Sequence, residues 1–312
     1  MLNTSYNLSL RLKEYLKKIE DLRTELLLTP LSPKVKLQLG WEAMVSRIYY
    51  SLLLCGKTLE RNDVIKFLSQ RKKASNKQEQ EITKYKQAID YIRHNWYAAT
   101  NKMTPKTILI LYKIISNAKL RVPIIDLQHL LDYIQANPEH PIIQSGIVNI
   151  EIAKMRPFDN SNQEIAQLLT LLILYKYGYS FEGLLVLERQ WVEYLDSFKE
   201  NFQMATRFST ITLWLEYFAD SIERELEVIL KSIKAPRLSL TSELADPFWE
   251  INDRQRGILS LSEEPNFTIT NKKVQKAFKV SQITASRDLS KLTSLGFLLP
   301  FGKGRSIYYT KI

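Results

Sequence analysis

Apolar residues recur every three or four positions along most of the chain, which is the period of amphipathic α-helices. The first row consists of Leu8, Leu12, Tyr15, Ile19, Leu22 and Leu26. Because this row covers fewer than three heptads, it is compatible with packing on its own domain and also with a coiled pair between two copies. Further helical patterns cover residues 35–52, 82–95, 105–116, 124–135, 187–202 and 206–233, and residues 71–82 form a polar loop or a solvated helix start.

The stretch from Lys154 to Tyr177 predicts a helix that is buried on nearly every side. A turn at Pro157 precedes it, Ser161 is suited to the N-cap, and Glu164 follows at capping-box spacing. Apolar residues then occupy all faces, as expected for a helix surrounded by other helices. Gly178 is suited to the left-handed turn that ends the helix.

Composition bounds the class of protein and the kinds of site. The chain has 312 residues, of which 45% are hydrophobic, so its length allows two domains with real cores. It contains no long apolar run and no hydrophobic signal segment, so we expect a soluble, cytoplasmic protein without membrane contact. The single cysteine, Cys55, excludes an internal disulfide, and His94, His129 and His140 lack the spacing of metal ligands.

The positive charge is concentrated at the C-terminal end. The formal net charge is +11, and residues 251–312 contain 11 Lys and Arg against 4 Asp and Glu. The first 250 residues contain 33 basic against 29 acidic residues. A localised basic surface of this kind indicates a polyanionic partner.

The turn into the central helix resembles the signature of the Fic (AMP-transferase) family, H-x-F-x-[D/E]-G-N-G-R-x-x-R. The sequence RPFDNSNQEIAQ at 156–167 aligns with it without a gap, and residues 140–158 resemble the helix that leads to the signature in the family. Phe158 and Asn162 keep signature residues. The family's histidine, acidic residue, glycines and arginines are replaced by Arg156, Asn160, Ser161, Gln163, Glu164 and Gln167.

The resemblance implies AMP transfer from ATP to a hydroxyl group, and the replaced residues argue against that chemistry. The family's histidine accepts the proton of the target hydroxyl, whereas the guanidinium of Arg156 cannot accept a proton. The family's acidic residue holds magnesium, but Asn160 stands there, with Asp159 one position early. Glu164 brings its own negative charge to a helix N-terminus that would otherwise attract phosphates. We therefore predict a degenerate active site and expect no cofactor.

Two other segments depart from the family. WEAMVSRIYYSLL resembles the helix that in many Fic proteins holds a self-inhibitory S-x-I-E-G motif, but Tyr49 occupies the position of its glutamate. That glutamate pairs in the family with the arginine that Gln167 replaces here. The family's β-hairpin flap is reduced to residues 117–123, a connection too short for a hairpin of the usual kind.

Residues 251–312 resemble the winged helix-turn-helix fold. Helices are predicted over 253–261, 271–278 and 282–295, with Thr270 and Ser281 as N-caps, and strands over 297–301 and 306–310. The sequence VSQITASRDLSKLTSLGFL followed by GKGRSIYY is similar to winged domains attached to Fic-family and related bacterial regulators.

The third of these helices is the predicted DNA-reading element. Ala285, Leu289 and Leu292 share one face and should pack inward. The residues predicted to contact DNA, on this helix and on the wing, are Gln282, Ile283, Thr284, Arg287, Lys291, Lys303 and Arg305. Arg287 is suited to guanine, Gln282 to adenine and Ile283 to a thymine methyl, and the wing cations are suited to phosphates.

The sequence thus predicts a mainly α protein, made of a Fic-like helical bundle followed by a small winged helix-turn-helix (α+β) domain. The boundaries are 1–34 for an N-terminal helix, 35–234 for the Fic-like domain, 235–250 for a linker and 251–312 for the winged domain. The first hypothesis is a bacterial transcription regulator or DNA-tethered scaffold that binds double-stranded DNA. A homodimer and a protein partner are compatible with it.

Two alternatives stay open at this point. The first is a divergent protein adenylyltransferase that moves AMP from ATP to a Ser, Thr or Tyr hydroxyl with magnesium. The second is a pocket for another small molecule, with Arg156 and Asn162 at its mouth.

Overall fold

The structure is a computed structural model that describes residues 4–31, 33–69, 74–116, 119–136, 139–234, 251–261, 268–295, 297–302 and 307–311. The predicted linker, 235–250, and Lys303 and Arg305 of the predicted wing lie outside the described residues. The elements are α1 Leu10–Leu28, α2 Pro33–Leu54, α3 Arg61–Ser69, α4 Lys77–Trp96, α5 Pro105–Ile115, α6 Ile124–Ala136, α7 Pro141–Met155, α8 Asn162–Lys176, α9 Leu187–Glu193, α10 Leu195–Arg207, α11 Thr212–Lys234, α12 Asp253–Leu261, α13 Asn271–Phe278, α14 Gln282–Ser294, β1 Leu298–Phe301 and β2 Tyr308–Lys311.

The centre of the fold is α8, which is buried along its length by α4, α5 and α7. Every residue from Glu164 to Tyr175 is buried, and most of these residues are apolar. The prediction of a helix buried on nearly every side is therefore confirmed. Elements α1–α11 surround α8 and share one hydrophobic core, and we call them the helical bundle.

Helix α1 belongs to this core although it was predicted as a separate segment. Leu12, Ile19 and Leu26 are buried, and the helix packs along α11. The preceding residues are fixed as well, because the Ser9 hydroxyl donates to Glu216 at 2.6 Å and Ser5 forms a β-bridge with Thr210. The predicted apolar row is therefore occupied within the chain from Leu12 to Leu26, whereas its first residue, Leu8, is 45% exposed.

Local backbone geometry changes some predicted helix bounds. The helix predicted over 187–202 is two helices, because Tyr194 has φ −114° and ψ 50° between α9 and α10. The helix predicted over 206–233 starts only at Thr212, since Phe208 is extended with φ −108° and ψ 156°. Helix α4 begins at Lys77, earlier than the predicted 82, because the Asn76 side chain accepts from the Glu79 N–H at 2.8 Å.

The described residues between 251 and 311 form a second unit with its own core, which we call the C-terminal unit. Helices α12 and α13 have the predicted bounds, and the N-caps are confirmed, since the Thr270 and Ser281 side chains accept from the backbone N–H groups of Lys273 and Thr284. Strands β1 and β2 are antiparallel, with Leu298 opposite Lys311 and Phe301 opposite Tyr308. This second core consists of Ile251, Ile258, Leu259, Ile269, Val274, Ala285, Leu289, Leu292, Leu295, Phe297 and Leu298.

The C-terminal unit lies against the end of the bundle where α2 begins and α4 ends. Leu37 packs against its core, and the His94 ring stacks on the Phe301 ring with centroids 4.4 Å apart. These contacts set which face of α14 is turned toward the bundle. Within the part of the chain that the structure describes, no helix is both long and apolar enough to cross a bilayer.

Candidate functional site

The loop between α7 and α8 is closed by the Asn162 side chain. Its Oδ1 accepts from the Phe158 N–H at 2.9 Å, and its Nδ2 donates to the Phe158 carbonyl at 2.8 Å. Phe158 is fully buried and stacks on Tyr112 with ring centroids 3.6 Å apart. The two signature residues that the sequence keeps therefore fix the shape of this loop.

The polar residues of the loop pair with the connection between α5 and α6. The Ser116 hydroxyl donates to Asn160 Oδ1 at 2.8 Å, and Asp159 Oδ1 lies 3.5 Å from Arg121 Nε. Leu120 forms a β-bridge with Phe158. The connection that stands in place of the family's flap thus pairs with the loop through the bridge between Leu120 and Phe158. Its Arg121 also pairs with Asp159.

The start of α8 differs from the predicted capping box. Ser161 does occupy the N-cap, but its φ of 56° and ψ of 23° are left-handed and its side chain makes no capping hydrogen bond. An N-cap side chain reaches the helix amides from an extended backbone, so the capping-box prediction is wrong for this physical reason. Ser161 stands where the resemblance gives a glycine, and positive φ is the conformation that favours glycine. Arg156, at the end of α7, is exposed and also left-handed, with φ 46°.

Glu164 and Gln167 lie near Cys55, the residue that directly follows α2. Glu164 is buried near Cys55, and burial together with the Glu164 charge raises the pKa of the Cys55 thiol well above its ordinary value. Gln167 Oε1 accepts from the Tyr85 hydroxyl at 3.0 Å and lies 3.8 Å from Cys55 Sγ. The Gln167 Nε2 is buried without a hydrogen-bond partner among the described residues.

The predicted inhibitory-motif position, Tyr49, lies on α2. Its ring contacts Tyr50 edge to face, with centroids 5.0 Å apart. Cys55, which contacts Gln167, directly follows Leu54, the last residue of α2. Gln163 is half-buried in the first turn of α8.

Arg47 on α2 and Glu188 on α9 are buried charged residues that the sequence analysis did not single out. Arg47 is 1% exposed and donates to the carbonyls of Gly183, at 3.1 Å, and Leu185. Glu188 is also buried. Burial raises the pKa of Glu188, and the nearby Arg47 charge only partly offsets this effect.

Glu188→Gln is expected to change how stability depends on pH. Because the folded protein raises the pKa of Glu188 from 4.5, the stability linked to its proton is fully present below pH 4.5 and is lost as pH rises through the raised pKa. In urea titrations, the free energy of unfolding of the wild type, minus that of the variant, should therefore fall as pH rises from 4.5 through the raised pKa of Glu188. Exposed Glu200, changed to Gln, is the control, and a difference that grows with pH would contradict the assignment.

The exposed face of α14 holds most of the residues predicted to contact DNA. Gln282 and Arg287 are exposed, and Ile283 is 65% exposed, although it is a large apolar residue. Thr284 and Lys291 are half-buried. The opposite face packs inward as predicted, because Ala285, Leu289 and Leu292 are all 0% exposed.

Asp288 is a buried carboxylate that the sequence analysis missed. It is 3% exposed, and it accepts from Arg254 Nε at 2.6 Å and from Gln255 Nε2 at 2.7 Å. Arg254 Nη2 adds a second contact at 3.3 Å. Two charge-assisted contacts from one guanidinium fix geometry more strictly than a single contact. These bonds hold α14 against α12 and so set the direction in which Arg287 points.

Comparison with solved structures identifies the fold. A Fic family protein from Desulfovibrio desulfuricans matches with a TM-score of 0.63 and 13% identity, covering 99% of this chain and 98% of its own. A Fic domain containing signaling protein from Bacteroides thetaiotaomicron matches with a TM-score of 0.57 and 17% identity, covering 73% of this chain and 100% of its own. Fic-1 from C. elegans gives 0.57 and 15%, covering 70% of this chain and 72% of its own.

The sequence comparisons give no further assignment. No protein-family model matches the chain, and no curated protein gives a significant match. At identities below 20% the structural matches concern the arrangement of the helices and not the chemistry of any side chain. The chain therefore has the fold of the Fic proteins.

Proposed function

We propose that this protein binds double-stranded DNA through the C-terminal unit, as a winged helix-turn-helix, and that its Fic-like bundle lacks AMP-transfer chemistry. It would act as a transcription regulator or as a DNA-tethered scaffold. The observation that supports the proposal most directly is the exposed face of α14, where Gln282, Ile283 and Arg287 stand on a helix whose other face is buried. In a helix-turn-helix the N-terminal part of this element enters the major groove.

Charge and side-chain chemistry agree with this proposal. Arg287 is exposed and forms no ion pair with any residue that the structure describes, so its guanidinium is available for guanine or phosphate. The sequence of residues 251–312 has a basic excess of 11 against 4. A basic surface next to a projecting helix is the usual electrostatic footprint of a DNA-binding domain.

The geometry at the start of α8 argues against AMP transfer. A guanidinium at position 156 accepts no proton, and Asp159 lies beside Arg121. Buried Glu164 places a negative charge in the first turn, where a phosphate would otherwise find the positive end of the helix dipole. Proton acceptor, metal ligand and phosphate site are therefore all weakened together.

Duplex binding that weakens steeply with salt is the expected result for the wild-type chain in fluorescence anisotropy. Arg287→Ala should weaken binding to the preferred sequence about 10- to 100-fold, because a base contact is lost. Lys303→Ala together with Arg305→Ala should weaken binding to all sequences and reduce the salt slope by about 2, because two phosphate contacts are lost.

Exposed Lys199 on α10 provides the matched control for this experiment. Lys199→Ala removes one positive charge from the bundle, outside the C-terminal unit, and should leave duplex binding unchanged. Absence of duplex binding at low salt, or an Arg287→Ala chain that binds like the wild type, would refute the proposal.

No AMP transfer is expected when the chain is incubated with magnesium and ATP labelled in its α-phosphate. Neither the chain itself nor the proteins of a bacterial lysate should acquire label, because position 156 cannot accept the proton of a hydroxyl. Label that appears and is lost in the Arg156→Ala variant would instead support the adenylyltransferase alternative.

A further inference from the structure

A groove separates the end of α3 in the bundle from α14 in the C-terminal unit. Its volume is about 590 Å³, which falls within the size range of small-molecule sites. The described residues that line it are Ser69, Ser286, Arg287, Ser290, Lys291, Ser294 and Leu295. The stacking of His94 on Phe301 and the packing of Leu37 keep the two walls together.

The lining combines hydroxyl groups with positive charge. Ser286, Ser290 and Ser294 recur every four residues and form one row along α14, and Arg287 and Lys291 form the neighbouring row. None of the described residues that line the groove is acidic. The Ser294 hydroxyl already donates to the Lys291 carbonyl at 2.6 Å. The Arg287 guanidinium and the Ser286 and Ser290 hydroxyls match the oxygens of a phosphate ester.

The opposite wall supplies a second observation. The Ser69 hydroxyl oxygen is buried, and no described residue forms a hydrogen bond with it. A buried polar atom without a partner is costly, and a bound polar group is one way in which proteins satisfy such an atom. Ser286, in contrast, already accepts from Asn271 Nδ2 at 2.7 Å and keeps its own proton to donate.

We propose that this groove binds a small phosphate-bearing molecule of nucleotide size. Because Arg287 lines the groove and also lies on the predicted DNA-contacting face, the ligand and DNA would compete for the same side chain. This consequence rests on the proposed function, whereas the ligand site itself does not. A ligand that touches both walls would also hold α14 against α3, with its Arg287 face turned to the bundle.

Calorimetric titration of the full chain with ATP, without magnesium and at constant ionic strength, tests the site. Ser290→Phe places a large ring in the groove, and Arg287→Ala removes its exposed cation. Each variant should weaken ATP binding at least 10-fold, while Lys199→Ala should bind ATP like the wild type. Undetectable ATP binding by the wild type, or binding that survives Ser290→Phe, would overturn the proposal, because in the second case ATP occupies another place.

Competition separates this proposal from the proposed function. ATP should weaken duplex binding by the wild type at constant ionic strength and should have less effect on the Ser290→Phe chain. If the chain binds ATP in the groove but binds no duplex, the ligand site stands and the proposed function fails. If it binds the duplex but not ATP, only the ligand site fails.

Discussion

Asp288→Ala is expected to destabilise the C-terminal unit by about 3 kcal/mol and to weaken duplex binding, while the bundle stays folded. Removing the carboxylate leaves Arg254 and Gln255 without their acceptor, and breaking a buried ion pair typically costs about 3–5 kcal/mol. The lower end of that range applies because the Arg254 side chain is 34% exposed and can be rehydrated. Hydrogen exchange of the full chain should show α12–α14 opening about 100-fold more often.

The surface pair between Asp253 and Arg256 on α12 is the matched control for this experiment. Asp253 is 96% exposed, and its carboxylate lies 2.6 Å from Arg256. Asp253→Ala should therefore change exchange and duplex binding little, since exposed ion pairs contribute little to stability. Unchanged exchange in Asp288→Ala would show that the contacts of Asp288 do not hold α14 in place.

The elements that the sequence predicted well have signals that lie within a few residues. Helix α8 was predicted because apolar residues occupy all of its faces, and its burial follows from that pattern alone. The caps of α13 and α14 were predicted from Thr270 and Ser281, whose hydroxyls accept from amides three residues ahead. The short helix α3 was missed because only Val64 and Leu68 are buried on it, and two apolar positions are too few to establish a helical pattern.

The features that were missed depend on contacts between residues far apart in the chain. The capping box at Ser161 required an extended backbone, whereas the bonds between Asn162 and Phe158 close the loop around a left-handed residue. Arg47 lies in an apolar stretch of α2, and its carbonyl acceptors are more than a hundred residues later. Such pairings follow from the packing of the helices and leave no local pattern.

The start of α9 is held by another buried carboxylate, that of Glu225 on α11. It is 0% exposed and accepts from Arg189 Nη2 at 2.7 Å, from Gln190 Nε2 at 3.0 Å and from the Val186 N–H at 3.2 Å. Burial raises the pKa of Glu225, and the Arg189 charge only partly offsets this. The carboxylate therefore holds the start of α9, which packs on α2, at a cost in desolvation.

Glu225→Ala is expected to lower the free energy of unfolding of the bundle by about 4 kcal/mol in urea titrations, because Gln190 and the Val186 N–H lose a buried acceptor and Arg189 loses its ion pair. Glu225→Gln should lose less, since its amide oxygen still accepts. The exposed Glu227 on the same helix, which lies 3.4 Å from Lys231, serves as control, and Glu227→Ala should change little. Equal losses for Glu225→Ala and Glu227→Ala would mean that the buried bonds do not anchor α9, and that its place depends on apolar packing around Trp191 instead.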